Sequence, residues 1–295
     1  MTTPATATCT LPGGYLVGDH CHREAVLRPL TGRQEELLTS VQGPPAEQIT
    51  QVLADCVERI GPVDEITPDA MRRLLVADRQ YLLLQLRTLS YGDRVQGTLG
   101  CPWTGCGARV DIEFSIDDVP VKRTGPIRPA YTVDLPREAA DGRDASTVAF
   151  RLPNGGDQEA AAPLVEQNAA RALTVLLERC LQPPSDLPAD EFVAGLSPRA
   201  RALIEAAMEE HAPAVELDMD VTCPECERAF TAPFDVQDFF LGELRSSRDL
   251  LHRQVHYLAY HYHWSEGEIL DMPREKRHTY IEILAEEIDA MNAPQ

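Results

Sequence analysis

Four cysteines carry the clearest chemistry in this chain. They fall as Cys101-Pro-Trp-Thr-Gly-Cys106 and Cys223-Pro-Glu-Cys226, roughly 120 residues apart, and each pair is followed eight residues later by a phenylalanine, Phe114 or Phe234. A tight turn between two strands aims two thiolates at one spot. Two such knuckles face to face supply the tetrahedral four-thiolate shell that zinc prefers. Neither pair closes that shell alone, so the chain must bring its two halves together. The expected cofactor is one structural Zn2+ on Cys101, Cys106, Cys223 and Cys226, with a disulfide or idle thiol pairs as the other reading of these spacings. A catalytic zinc keeps an open position for water beside a general base, whereas four thiolates fill the shell. The chain also lacks a GxSxG elbow, a Gly-Lys-Ser/Thr phosphate loop and a GxGxxG turn. It reads as non-enzymatic.

The elements that position these knuckles point to an internal duplication. Leu27-Arg28-Pro29-Leu30 leads to Gly32, Gln34 and Glu35, as Phe150-Arg151-Leu152-Pro153 leads to Gly156, Gln158 and Glu159. Val52-Leu53 with Cys56 matches Leu176-Leu177 with Cys180, and Arg79 with Leu83 matches Arg199 with Leu203. Cys56 and Cys180 lie on apolar helix faces and read as small core residues. The expected fold class is therefore α+β: internally duplicated helix plus zinc-hairpin units sharing one split four-cysteine zinc ribbon, with an all-helical C-terminal arm. The expected boundaries are a flexible lead-in at 1–25, a first copy at 26–114, a Pro-rich linker at 115–146, a second copy at 147–234 and the arm at 235–295. Leucines of the first copy become alanines in the second, so its core is expected to be thinner.

Local signals place the helices. Pro44-Pro45 opens a helix whose stripe Ile49, Val52, Leu53, Cys56, Val57 and Ile60 runs to Gly61-Pro62. Thr67-Pro68 and Ser197-Pro198 are cap-then-proline starts, the first running on into Tyr81–Leu89. In the arm, Phe239, Phe240, Leu244, Leu251, Val255, Leu258 and Tyr262 recur at threes and fours, which predicts one long amphipathic helix ending near His263. Ser265-Glu266-Gly267-Glu268 is a capping box, and Pro273 opens a last helix. Those seven apolar residues together with Trp264 are the expected partner-binding face, on an arm whose removal should leave the cysteine core folded. His252 and His256 stand one helical turn apart but have no third ligand at the spacing of a catalytic motif, so no second metal is assigned.

Charge and composition exclude other classes. The formal net charge of −20 opposes binding to a phosphate backbone, which draws its affinity from Lys and Arg. Glu209, Glu210, Glu216, Asp218, Asp220, Glu225 and Glu227 flank the second knuckle. A zinc-ribbon adaptor or nucleic-acid-associated regulator would call for a basic face there. Apolar runs such as Tyr81–Leu84 are far shorter than a membrane span, and Met1–Pro12 has no signal-peptide character, so a cytoplasmic location is expected.

Taken together, several motifs resemble those of a known family. These are Leu27-Arg28-Pro29-Leu30-Thr31-Gly32-Arg33-Gln34-Glu35-Glu36, then Asp78-Arg79 with Leu82-Leu83-Leu84-Gln85-Leu86-Arg87, then Tyr91-Gly92-Asp93-Arg94 before a Cys-Pro knuckle. His261-Tyr262-His263-Trp264-Ser265, Glu268-Ile269 and Tyr280-Ile281-Glu282 extend the likeness toward the C-terminus. The set resembles the T-even phage baseplate family of hub assembly chaperones, found in tailed phages and contractile injection systems. The resemblance implies a non-enzymatic part in building a baseplate hub, with hub or spike proteins as partners. It also implies that Cys101, Cys106, Cys223 and Cys226 are the paired-knuckle ligands; the widened first knuckle departs from the family pattern.

Overall fold

The computed structural model describes residues 6–40, 44–135, 146–165, 167–183, 187–216, 218–233, 236–246 and 248–292. The fold is mixed α and β. Its first half opens with β1 (Ala7–Val17) and β2 (His20–Leu27), continues through α1 (Gly32–Ser40) and α2 (Pro45–Cys56), and returns as β3 (Val57–Ile60) to complete an antiparallel sheet of order β1-β2-β3. Helices α3 (Pro68–Arg73) and α4 (Val76–Tyr91) then lead into the hairpin β4 (Arg94–Gly100) and β5 (Arg109–Ser115). After a 3-10 turn at Ile116–Asp118, the short β6 (Val121–Lys122) crosses to the second half.

That half begins with β7 (Tyr131–Leu135) and β8 (Ser146–Phe150), followed by α5 (Gly155–Val165), α6 (Ala169–Cys180) and β9 (Leu181–Gln182), in a sheet of order β7-β8-β9. Helices α7 (Ala189–Ala194) and α8 (Pro198–His211) precede β10 (Ala214–Val215), which pairs with β6. The hairpin β11 (Asp218–Thr222) and β12 (Ala229–Pro233) follows. The arm consists of α9 (Val236–Ser246), α10 (Arg248–Tyr262), α11 (Glu266–Leu270) and α12 (Arg274–Asn292).

Equivalent hydrogen bonds recur in the two halves. The Arg28 N–H donates to the Cys56 carbonyl at 2.9 Å, and the Arg151 N–H to the Cys180 carbonyl at 2.9 Å. The Thr31 N–H is met by Gln34 Oε1 at 3.1 Å, and the Asn154 N–H by Asp157 Oδ2 at 3.0 Å. Arg79 Nη1 donates to Thr50 Oγ1 at 2.8 Å, and Arg201 Nη1 to Thr174 Oγ1 at 3.1 Å. Arg201, not Arg199, makes the bond that resembles that of Arg79, and Asp157 makes the one that resembles that of Gln34.

The caps read from sequence are present. The Ala70 N–H donates to Thr67 Oγ1, the Ala200 N–H to Ser197 Oγ, and Ser265 and Glu268 close a full capping box. Tertiary pairing altered several other elements. The expected lead-in is a strand pair from residue 7 onward, with Leu11 and Tyr15 buried, because its alternating side chains form one face of the first core. The 115–146 span likewise carries β6 and β7; Pro136 and Phe234 lie outside the described residues. Helix α2 stops at Cys56, since Val57 and Ile60 satisfy their backbones against β2 instead. The helix from Thr67 breaks at Leu74-Leu75, where Leu75 bridges to Asn154. The predicted long helix of the arm is helical on both sides of residue 247, as α9 and α10, and residue 247 itself lies outside the described residues.

Two cores result. The larger gathers Leu11, Leu27, Leu53, Met71, Leu83 and Phe240 between the first sheet, α2, α4 and α9. The smaller gathers Leu135, Val148, Phe150, Leu177, Phe192 and Ile204. The arm is part of the first half's interior: Val236, Phe240 and Leu241 are 1% exposed, and the guanidinium of Arg277, fully buried, holds both oxygens of Glu35 at 2.7 and 2.8 Å. Arg33 pairs with Asp271 at the rim. Cutting after residue 235 would strip these groups from the core, so the arm is not the separable appendage that its amphipathic pattern suggested.

Candidate metal centre

Each knuckle is built by its own hairpin. The Cys101 N–H donates to the Ala108 carbonyl at 2.8 Å and the Cys223 N–H to the Arg228 carbonyl at 3.1 Å, so both turns leave the strands at their first cysteine. The wider first knuckle closes through the Cys106 N–H to the Trp103 carbonyl, with Gly105 at φ 85° and Gly107 at φ 61° taking the left-handed conformations. The tighter second knuckle places Glu227 at φ 56°.

The two knuckles meet. Cys101 Sγ lies 3.8 Å from Cys226 Sγ, Cys106 Sγ lies 3.8 Å from Cys223 Sγ, and all four sulfurs fall within 4.8 Å of one another. A tetrahedron with metal–sulfur bonds of about 2.3 Å has edges of about 3.8 Å, so the donor set and its spacing fit one metal ion. Val110 is buried beneath the cluster, with Ala108, Val221 and Phe230 packed beside it. Among the described residues this is the one group of three or more His, Cys, Asp or Glu side chains so disposed.

The local electrostatics differ between the sulfurs. The Arg228 amide pulls the Cys226 thiol down to about 6, while burial pushes Cys101 up to about 12. A cation would offset the cost of gathering four thiolates in one place. Cys56 and Cys180 are fully buried and raised by desolvation to about 12, which makes them inert core groups. One contact escaped the sequence reading. Trp103, on the insertion that widens the first knuckle, lies under the guanidinium of Arg228 from the second, 5.1 Å from the ring centroid.

The other expected site residues scatter. Phe240, Leu251 and Leu258 are buried inside the chain, Phe239, Val255, Tyr262 and Trp264 are half-buried, and the side chain of Leu244 lies outside the described residues. Tyr262, Trp264 and Tyr280 form an aromatic cluster, with Tyr262 stacked on Trp264 at 4.6 Å. His252 and His256 are exposed on α10.

The family described as T4 bacteriophage base plate protein matches residues 4–241, a span that holds β1, reaches into α9 and includes both knuckles. The chain belongs to the T4 base plate protein family. No curated protein and no solved structure matches it. The four-sulfur cluster lies within the matched span and is compatible with a metal site. Residues 242–295, with the second part of the family-like motifs, lie beyond the matched span. No described helix is long and apolar enough to cross a membrane.

Proposed function

We propose that this protein is a non-enzymatic assembly factor for the baseplate hub of a phage tail or contractile injection system, acting in the cytoplasm as a chaperone or minor component. The observation that carries this reading is the split four-thiolate cluster in a chain of the base plate family. A shell filled by Cys101, Cys106, Cys223 and Cys226 suits Zn2+ as a structural staple and leaves no coordination position for a substrate. The two halves are read as copies of one unit, supported by the paired bonds at Arg28 and Arg151, at Gln34 and Asp157, and at Arg79 and Arg201.

The partners in this reading are hub or spike proteins, and the charge of −20 disfavours nucleic acid. With Phe240, Leu251 and Leu258 consumed by the chain's own packing, docking by the arm falls to Val255, Tyr262 and Trp264. The test is gentle affinity purification of the tagged protein from its native cells, followed by mass spectrometry. Hub, spike or baseplate-wedge proteins are expected. Recovery of RNA polymerase or ribosomal proteins in their place would overturn the assembly role.

A further inference from the structure

One contact is made twice within the chain, each time by the junction of two helices. At the first junction the Leu74 carbonyl accepts from the Gly155 N–H at 2.9 Å, Leu75 bridges to Asn154, and Arg79 lies over the first turn of α5. At the second, the Met272 carbonyl accepts from the Gly32 N–H at 3.3 Å, Pro273 bridges to Thr31, and Arg277 lies over the first turn of α1. Both incoming helices must start on glycine. A Cβ on Gly155 would sit 2.3 Å from Arg79 Nη1, and one on Gly32 would sit 2.9 Å from Leu270 and 3.2 Å from Arg277 Nη1. Each helix also brings a carboxylate: Glu159 to Thr50 and Arg72, and Glu35 to Arg277.

The α7–α8 junction has the same construction. The N–H groups of Leu74, Leu196 and Met272 donate to the carbonyls of Met71, Val193 and Ile269 at 3.3, 3.2 and 3.1 Å. The Arg79, Arg201 and Arg277 N–H groups donate to the carbonyls of Leu75, Ser197 and Pro273 at 3.0, 3.0 and 3.2 Å. Arg201 reaches Thr174 and the Val193 carbonyl as Arg79 reaches Thr50 and the Met71 carbonyl. The difference is what lies on top. Arg79 and Arg277 are fully buried, but Arg201 is partly exposed, and among the described residues no N–H from another helix donates to the Leu196 carbonyl. On α6, Leu173 is 39% exposed where its α2 counterpart Ile49 is 0% exposed, and Ala170 is exposed where Ala46 is buried.

We propose that this open α6–α8 face is a socket for the first turn of an α-helix from another protein, one that begins on glycine and carries a carboxylate on its fourth or fifth residue. The leucine face takes the apolar side of that helix, and Thr174 and Arg201 meet its carboxylate. A second copy of this chain is not the occupant. Among the described residues its glycine-led helices, α1 and α5, are already seated. The inference rests on the repeated contact and is independent of the assembly role.

The test uses the full chain with a benzophenone amino acid replacing the exposed Leu173. The probe is a synthetic peptide of residues 152–165, the segment that the equivalent socket already holds. Saturable photo-crosslinking at up to millimolar peptide is expected, falling about ten-fold when the peptide carries Gly155→Val, a loss of about 1.4 kcal/mol. Arg201→Lys, checked for an unchanged melting curve, should weaken it as well. Equal labelling by the two peptides, or none, would overturn the proposal. In native cells the same photoprobe should mark a glycine-led helix start in a different protein; labelling confined to this chain would equally overturn it.

Discussion

Helices α2 and α6 make the same local bonds and live in different surroundings. Both end by handing a carbonyl at Cys56 or Cys180 to an arginine N–H, and both carry a threonine, Thr50 or Thr174, that back-bonds to the carbonyl four residues earlier and receives an arginine. Yet Ile49, Thr50 and Val52 are buried on α2, while Leu173 is exposed and Thr174 and Leu176 are only partly covered on α6. The cause lies outside the helices: α5 and α9 pack against α2 and help bury Ile49, whereas α5 and α7 pack against α6 and leave Leu173 exposed. Equal hydrogen bonding therefore does not mean equal stability, because burial by neighbours sets what each bond is worth.

The halves are also joined, and breaking the joint has the largest expected effect. Cys223→Ser with Cys226→Ser should release the metal, seen as loss of about one equivalent by elemental analysis, and lower stability by more than about 5 kcal/mol. An unchanged melting temperature and metal content would refute the staple. Next comes the arginine series. Arg277→Ala leaves the Glu35 carboxylate buried and unpaired and should cost about 3–5 kcal/mol in urea unfolding. Arg201→Ala, at a partly exposed site, should cost only about 1 kcal/mol. Equal losses would erase the distinction between covered and open junctions. The helices should differ in the same direction: Ile49→Ala about 2–5 kcal/mol, Leu173→Ala within about 0.5 kcal/mol.

The smallest effects separate two fully buried carboxylates. Asp78 in the first half accepts the Gly13 and Gly14 amides, at 2.8 and 3.0 Å, and burial pushes it up to about 6 against their pull and that of the Arg23 and Arg123 charges. Its folded value exceeds the unfolded one of about 3.9, so the folded state holds the extra proton and this contribution to stability falls as pH rises across that window. Asp157 in the second half is also pushed up by burial, but bonds from Arg151, the Asn154 amide and Arg179 outweigh that and hold it below the usual range. Its contribution is present above the unfolded value and is lost as pH falls through the folded one. Stability–pH curves of Asp78→Asn and Asp157→Asn should therefore flatten in opposite windows, the first between about pH 4 and 6 and the second below about pH 4. A shared window would refute the contrast.

Much of the candidate site was legible because its signals are local. Cys-Pro spacing builds a knuckle from a few residues, and Thr67, Ser197 and Ser265 announce helix starts through bonds that close within one turn. What was missed depends on residues far away. Val57 and Ile60 fit a helical stripe as well as a strand, and the edge of β2 decided between them. Arg199 and Arg201 both suit the spacing read against Arg79, and it is Arg201 that bonds Thr174 as Arg79 bonds Thr50. The amphipathic pattern of the arm showed that Phe240 and Leu258 are buried somewhere, but not that α1 and α4 of the same chain bury them.

By itself, then, the amino-acid order determined four thiols in two knuckles, the helix caps at Thr67, Ser197 and Ser265, the acidic net charge and the family. Their physics is short-ranged: a turn, a first-turn hydrogen bond, a sum of charges. Only the tertiary structure decided that the four sulfurs share one tetrahedron, that Arg277 closes over Glu35, and that Arg201 in the same setting stays half open. Those outcomes turn on which surfaces meet, and desolvation between segments more than a hundred residues apart leaves no trace in the spacing of either one.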